Sequence, residues 1–260
     1  SKGTLPASLN QQMGKKTIIG ECRMCRETKP LTYEHVPPRS AFNKNTRFYS
    51  ISQSDFWDNK DPLNFRPKGM VQQGGLGYYT LCEKHNSFLG KEYVRAYTKW
   101  ANIGMDINLK YDFPFIPVTV INQNPLRILK QIFSMFISLN GLIFTEMYPE
   151  ILKFVEDPTL QTLDEKFQVY TYLNDKGQIR NIGWSMTNTN GIICELAYPP
   201  YGFVLNIAAD LPINNLTNIT NFKNLSDTND HSFDIVFPKF ETHLPIPLDY
   251  RTIEEIKACM

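Results

Sequence analysis

Cysteine and histidine fall into two matched pairs in the first third of the chain, Cys22-x-x-Cys25 and Cys82-x-x-His85. A two-residue spacer lets a tight turn aim both side chains at one point. Three sulfurs and one imidazole form a donor set suited to tetrahedral zinc. The 56 residues between the pairs imply that they meet in space rather than forming a compact finger. One pair alone is weak evidence; two matched pairs predict a closed structural zinc site with no open position for chemistry. The other cysteines, Cys194 and Cys259, stand alone, and an odd total of five argues for a reducing compartment over a disulfide framework.

Other residues able to do chemistry stand beside these pairs. Glu34-His35 lies between them, followed by Val36-Pro37-Pro38-Arg39, and Asn86 follows His85 directly. Thr32 to Val36 has strand composition and is ended by the double proline. Residues 43–77 read as a loop in which Phe48, Phe56, Trp57 and Phe65 are interspersed, closing on a turn at Gly74-Gly75-Leu76-Gly77. Tyr78 to Leu81 is the next strand, and Asn86 or Ser87 can cap the helix after it. Tyr93, Val94, Ala96, Tyr97, Trp100 and Ala101 recur at helical spacing, while Lys91, Arg95 and Lys99 align on the other face.

Gly104, Pro114 and Pro117 predict a break over 102–118, followed by a strongly apolar helix from Leu126 to Leu139. Its polar residues Arg127, Lys130, Gln131, Ser134 and Ser138 form one narrow stripe, so most of its surface should be buried. A second helix is expected over Glu146–Val155. Phe167–Leu173 and Gln178–Met186 read as a hairpin about Asn174-Asp175-Lys176-Gly177. Gly191–Leu196 and Tyr201–Ala208 read as further strands, 212–231 as irregular and Ile253–Cys259 as a short helix. The expected fold class is α+β: a tail over 1–19, a zinc-stapled module over 20–112, and an α+β domain with an antiparallel sheet over 113–260.

Length and composition fit a globular chain: 260 residues, 42% hydrophobic and 20% charged, with a net charge of +1. That total hides an asymmetry. Residues 1–112 carry 17 Lys+Arg against 10 Asp+Glu, and residues 113–260 carry 10 against 16. A basic half hints at nucleic acid as a partner, although uneven surface charge with no partner gives the same count. The longest uncharged stretch, Gln131–Thr145, is shorter than the roughly 20 residues that span a bilayer. The polar start Ser1-Lys2-Gly3-Thr4 lacks an apolar leader region. A cytoplasmic protein that does not enter a membrane is expected.

The order Cys22-x-x-Cys25, Glu34-His35-Val36-Pro37-Pro38-Arg39, Leu81-Cys82-x-x-His85-Asn86 with Gly90 after it resembles the zinc-bearing branch of the HNH, or ββα-metal, endonucleases over about residues 20–102. The resemblance implies a hairpin and a helix that clamp one catalytic divalent cation, Mg or Mn. It makes His35 the general base and gives Glu34 and Asn86 the places of metal ligands. Arg39 would hold a phosphate, and Lys91, Arg95 and Lys99 would track the backbone of nucleic acid. Two departures stand out: Gly77 occupies the usual place of the middle Asn, and His85 replaces a commoner Cys.

The implied activity is hydrolysis of DNA phosphodiester bonds. It would be restrained by residues 113–260 or released by a regulatory protein or small-molecule activator. By family analogy it could serve in defence against phage. The alternative is a catalytically inactive, zinc-stapled nucleic-acid-binding or sensor protein. A third reading makes the acidic half a sensor in its own right. The residues also have plainer readings: Glu34 in an ion pair, Arg39 and the Lys91/Arg95/Lys99 stripe as solvated surface, Asn86 as a helix cap. Trp57 and Phe65 could stack on bases or pack over the module. His231 and His243 have no partner in sequence, and Cys194 reads as core.

Overall fold

The computed structural model describes residues 17–44, 46, 48–49, 58, 71–72, 74–176, 179–187, 190–211, 213–244 and 246–259. Most of the expected N-terminal tail, and Phe56, Trp57 and Phe65 of the long loop, lie outside them. The architecture is α+β, and every strand ladder among the described residues is antiparallel.

β1 (Ile18–Glu21) turns through both N-terminal cysteines into β2 (Thr28–His35). A two-strand pair follows, β3 (Phe48–Tyr49) with β4 (Val71–Gln72). β5 (Gly77–Cys82) then pairs with the other edge of β2, Thr32 opposite Leu81 and His35 opposite Gly77. The chain passes straight from β5 into α1 (Glu83–Glu92), whose cap is Cys82. Asn86 therefore sits one turn inside the helix and is not its cap, which corrects that expectation. After Tyr93, α2 (Val94–Lys110) buries the expected face, including Ala96, Tyr97, Trp100 and Ala101.

α2 runs through Gly104 where a break was expected. A Cβ there would lie 2.4 Å from the ring of Tyr201, so Gly104 permits close packing and does not end the helix. The chain breaks only after Tyr111. β6 (Phe115–Gln123) follows, and with β12 (His231–Pro238) it forms a two-stranded ribbon not anticipated in sequence.

α3 (Pro125–Leu139) starts at Asn124, whose side chain accepts from the Arg127 N–H, with proline in the first turn. Its polar stripe is buried as well: Lys130, Gln131, Ser134 and Ser138 are all covered and Arg127 is partly so. The expected second helix is two, α4 (Leu142–Met147) and α5 (Pro149–Glu156), divided at Tyr148 where the following proline cannot continue the helix.

The large sheet has the order β11-β7-β10-β9-β8, with β7 (Phe167–Leu173), β8 (Arg180–Met186), β9 (Ile192–Tyr198), β10 (Tyr201–Ile207) and β11 (Thr217–Asn218). β7 and β8 do not form the expected hairpin: β7 pairs with β10 and β11, and β8 pairs with β9. β9 and β10 are buried along their whole length because both sheet faces are covered. Phe203 and Leu205 face the main core with α3, whereas Val204 and Ile193 face a second cluster with Ile213 and Leu216. A 3-10 turn (Thr220–Asn224) and α6 (Ile253–Ala258) complete the fold, and among the described residues no helix is long and apolar enough to cross a membrane.

Candidate metal centre and adjoining cleft

The β1–β2 turn and the β5–α1 junction are brought together because β2 lies between β1 and β5. The turn is closed by Arg26, in left-handed conformation at φ 64°, whose N–H donates to the Cys22 carbonyl at 2.8 Å. The three sulfurs of Cys22, Cys25 and Cys82 and one ring nitrogen of His85 all lie within 4.8 Å of one another, close enough to hold one metal ion. His85 Nδ1 is 3.5 Å from Cys22 Sγ and 3.3 Å from Cys82 Sγ. Tetrahedral bonds of about 2.0–2.3 Å place neighbouring donors about 3.5 Å apart, which these two distances match. Burial pushes the Cys22 thiol up and the His85 imidazole down from their ordinary pKa values. The Cys82 backbone N–H approaches Cys22 Sγ at 3.4 Å, as suits a sulfur carrying negative charge.

Two arginines of the turn dock this centre on the helices. Arg23 donates to the carbonyls of Ile137 and Ser138 at the end of α3. Arg26 bonds the Leu142 carbonyl at 2.8 Å and Thr145 Oγ1 at 3.0 Å, and pairs with Glu21 and Glu146. Part of the positive charge counted in residues 1–112 is therefore spent inside the molecule.

A cleft of about 620 Å³ opens beside the centre, lined among others by Glu34, His35, Arg39 and Asn86. These four sequence candidates thus come together, Glu34 and His35 from β2, Arg39 from the loop after it and Asn86 from α1. Tyr33 and His35 share one face of β2, with rings edge to face at 5.1 Å, while Glu34 alternates to the other face, toward α3. His35 Nε2 lies 3.0 Å from the Gly74 carbonyl. A carbonyl only accepts, so Nε2 carries a proton, and in the neutral ring the lone pair is on Nδ1. Gly75 makes this approach possible: at φ +100° its Cβ would lie 2.8 Å from the His35 ring and 2.3 Å from the Asn43 carbonyl.

Asn86 Nδ2 donates to Thr32 Oγ1 at 2.9 Å and to the Tyr33 carbonyl at 3.4 Å, which turns Oδ1 away as the uncommitted end. Glu34 is 6% exposed and accepts from Ser138 Oγ and, at 3.3 Å, from Thr80 Oγ1, both on Oε2. Burial pushes its carboxyl up to about 7, against the pull of those hydroxyls and of Arg23. Arg39 is exposed at the rim, as is Lys44, which lines the same cleft.

The helical stripe is less uniform than its spacing implied. Lys91 belongs to α1, and Arg95 and Lys99 to α2; Lys99 pairs with Asp230 at 3.5 Å, and Lys91 lies 3.6 Å from Glu92. Arg95 is exposed, with no ion pair among the described residues. Gly77, at the expected place of the middle Asn, has no room for a side chain, since a Cβ would lie 2.1 Å from the Glu34 carbonyl.

Several residues around the site were not singled out in sequence. Buried Asn43 bonds the Pro37 carbonyl and both backbone groups of Leu76, pinning the rim loop to the strand that enters β5. Ser138 and Gln131, read in sequence only as part of the polar stripe of α3, reach the site from about a hundred residues beyond Glu34. His231 and His243 lie outside the cleft, bonded to the Ser226 carbonyl and to Glu241, and Cys194 is fully buried, as read. No protein-family model, curated protein or solved structure matches this chain.

Proposed function

We propose that the protein is a metal-dependent endonuclease whose cleft, stapled by a structural zinc at Cys22, Cys25, Cys82 and His85, hydrolyses phosphodiester bonds in DNA. The observation that carries this reading is the convergence of Glu34, His35, Arg39 and Asn86 on one cleft, with the His35 ring oriented by the Nε2 contact to the Gly74 carbonyl. A neutral imidazole is suited to take a proton from water near neutral pH. Arg39 and Lys44 at the rim offer charged donors to phosphate oxygens. Asn86 Oδ1 and the second oxygen of Glu34, on two residues that line the cleft, are hard oxygen donors that would hold Mg or Mn, which would supply charge stabilisation at the leaving oxygen. The closed zinc site does no chemistry; it joins β2, which carries Glu34 and His35, to α1, which carries Asn86.

Plasmid nicking by zinc-loaded protein with added Mg²⁺ or Mn²⁺ tests the reading. His35→Ala is expected to lose at least about 10²-fold in rate. Equal rates for the two proteins would remove His35 from the mechanism. A non-cutting nucleic-acid-binding or sensor protein is the second reading, favoured by Glu34, because a carboxyl pushed up to about 7 and bonded to Ser138 is a weak ligand while protonated. No nicking with either cation, alongside retained DNA binding, would select it.

A further inference from the structure

Gln131 reaches the cleft from α3 and is 2% exposed. Its Nε2 donates to Ser134 Oγ at 3.0 Å. The single hydroxyl proton of Ser134 already goes to the Gln131 carbonyl at 2.7 Å, so toward the side-chain amide Ser134 can only accept. That fixes the amide orientation and leaves Oε1 as the free end. Oε1 is buried without a hydrogen-bond partner, and of the buried side-chain atoms in that condition among the described residues it is the one whose residue lines this cleft. An unpaired buried acceptor costs stability, and a donor arriving with a ligand removes that cost.

The surroundings indicate the kind of ligand. A volume of about 620 Å³ suits a whole small molecule, not only the grazing contact of a backbone phosphate. Leu89 and Val94 give apolar wall, and Arg39 and Lys44 give cationic rim. Tyr33 is 37% exposed at the mouth, its hydroxyl held by the Gly75 carbonyl at 2.8 Å, and presents an aromatic ring on which a base can stack. Phosphate at the rim, an aromatic platform at the mouth and a buried acceptor at the floor match the parts of one nucleotide. A base still paired and stacked in a duplex cannot reach a buried amide.

We propose that the cleft admits an unstacked nucleotide whose base donates a hydrogen bond to Gln131 Oε1, so that the preferred substrate is single-stranded or locally opened nucleic acid. This rests on the reading of the cleft as a nucleic-acid site, but not on cleavage.

The test is fluorescence anisotropy with zinc-loaded full-length protein and no added Mg²⁺ or Mn²⁺, comparing a labelled, non-self-complementary single strand with a hairpin that holds the same sequence paired in its stem. Wild type should prefer the single strand. Gln131→Met, which keeps the length and removes the acceptor, should weaken single-strand binding about tenfold and leave hairpin binding unchanged. Its melting temperature should not fall in proportion, because Oε1 has no protein partner to lose. Tyr33→Leu, altered at the mouth rather than in the core, should weaken the single strand by a similar factor.

Wild-type preference for the hairpin, or unchanged single-strand binding in both variants, overturns the inference even if plasmid is nicked. Selective loss of single-strand binding in Gln131→Met upholds it even if nothing is nicked, in which case the nuclease reading alone falls.

Discussion

Two buried glutamates, one in each half of the molecule, are treated in opposite ways. Glu195, on β9 beneath the second cluster, is bonded on Oε1 by Arg180 at 2.5 Å and Tyr172 at 2.8 Å, and on Oε2 by the Leu248 N–H at 3.3 Å. Both terminal nitrogens of Arg180 are engaged, Nη1 donating to the carbonyls of Leu244, Ile246 and Asp249, while its buried Nε has no partner. Charge meets charge, and the pair ties the segment after β12 to the large sheet. Glu34 is nearly as buried, yet its two hydrogen bonds come from neutral hydroxyls on a single oxygen, and the guanidinium of nearby Arg23 is committed to α3 carbonyls. Burial pushes both carboxyls up, that of Glu34 to about 7. A sealed and neutralised acid serves the fold; an acid left short of partners beside a cleft is poised to take a proton or a cation.

The largest way to break this comparison is to remove the metal, which acts on one region only. Structural zinc is worth about 10–16 kcal/mol in small finger peptides. Here the shared core keeps part of that, and chelation or Cys82→Ser should still cost several kcal/mol. A thermal melt beside a zinc assay would show it, with the small sheet lost first. Melting that is unchanged after chelation would mean that packing, not the staple, joins β2 to α1. Next in size is Glu195→Ala, which leaves Arg180 buried and uncompensated and should cost about 3–5 kcal/mol in denaturant unfolding. The double change Arg180→Met/Glu195→Leu should recover most of that loss, because burying a matched pair is close to neutral against an apolar replacement. Failure to recover would show that the carbonyls held by Arg180 matter more than the charge pair.

The two regions also differ in how much of them sequence reveals. Both Cys/His pairs were legible because each is a local feature whose chemistry depends on a two-residue spacer. Glu34, His35 and Asn86 were legible only through their order around those pairs. α3 was plain from its unbroken apolar run, but the burial of Lys130 was not: its ammonium donates to the carbonyls of Phe154, Asp157 and Leu160, partners that only the tertiary fold supplies. The turn chemistry of Asn174-Asp175-Lys176 favoured a hairpin, and it lost to the pairing of β7 with β10, where Gly202 admits the Tyr172 ring that reaches Glu195. The β6–β12 ribbon joins segments more than a hundred residues apart, and Pro117 disguised β6 as loop. Glu195 itself gave no signal, since one acid in an apolar strand reads as core or as error until Arg180 is seen diagonally across on β8.

Glu34→Gln sharpens the comparison most finely, since it removes a titration while keeping shape. Folding raises the Glu34 pKa from 4.5 to about 7, so the native state holds a proton that the unfolded chain releases between those values. The stability this contributes is present in full below pH 4.5 and is lost as pH rises through 7. Measured without added divalent cation, wild type should lose up to about 3 kcal/mol relative to Glu34→Gln across that window. At pH 5 the two proteins should differ by less than about 1 kcal/mol, because a protonated carboxyl and an amide both accept from Ser138 and Thr80. Parallel pH profiles would mean that Arg23 neutralises Glu34 after all, and the two glutamates would then be the same device used twice.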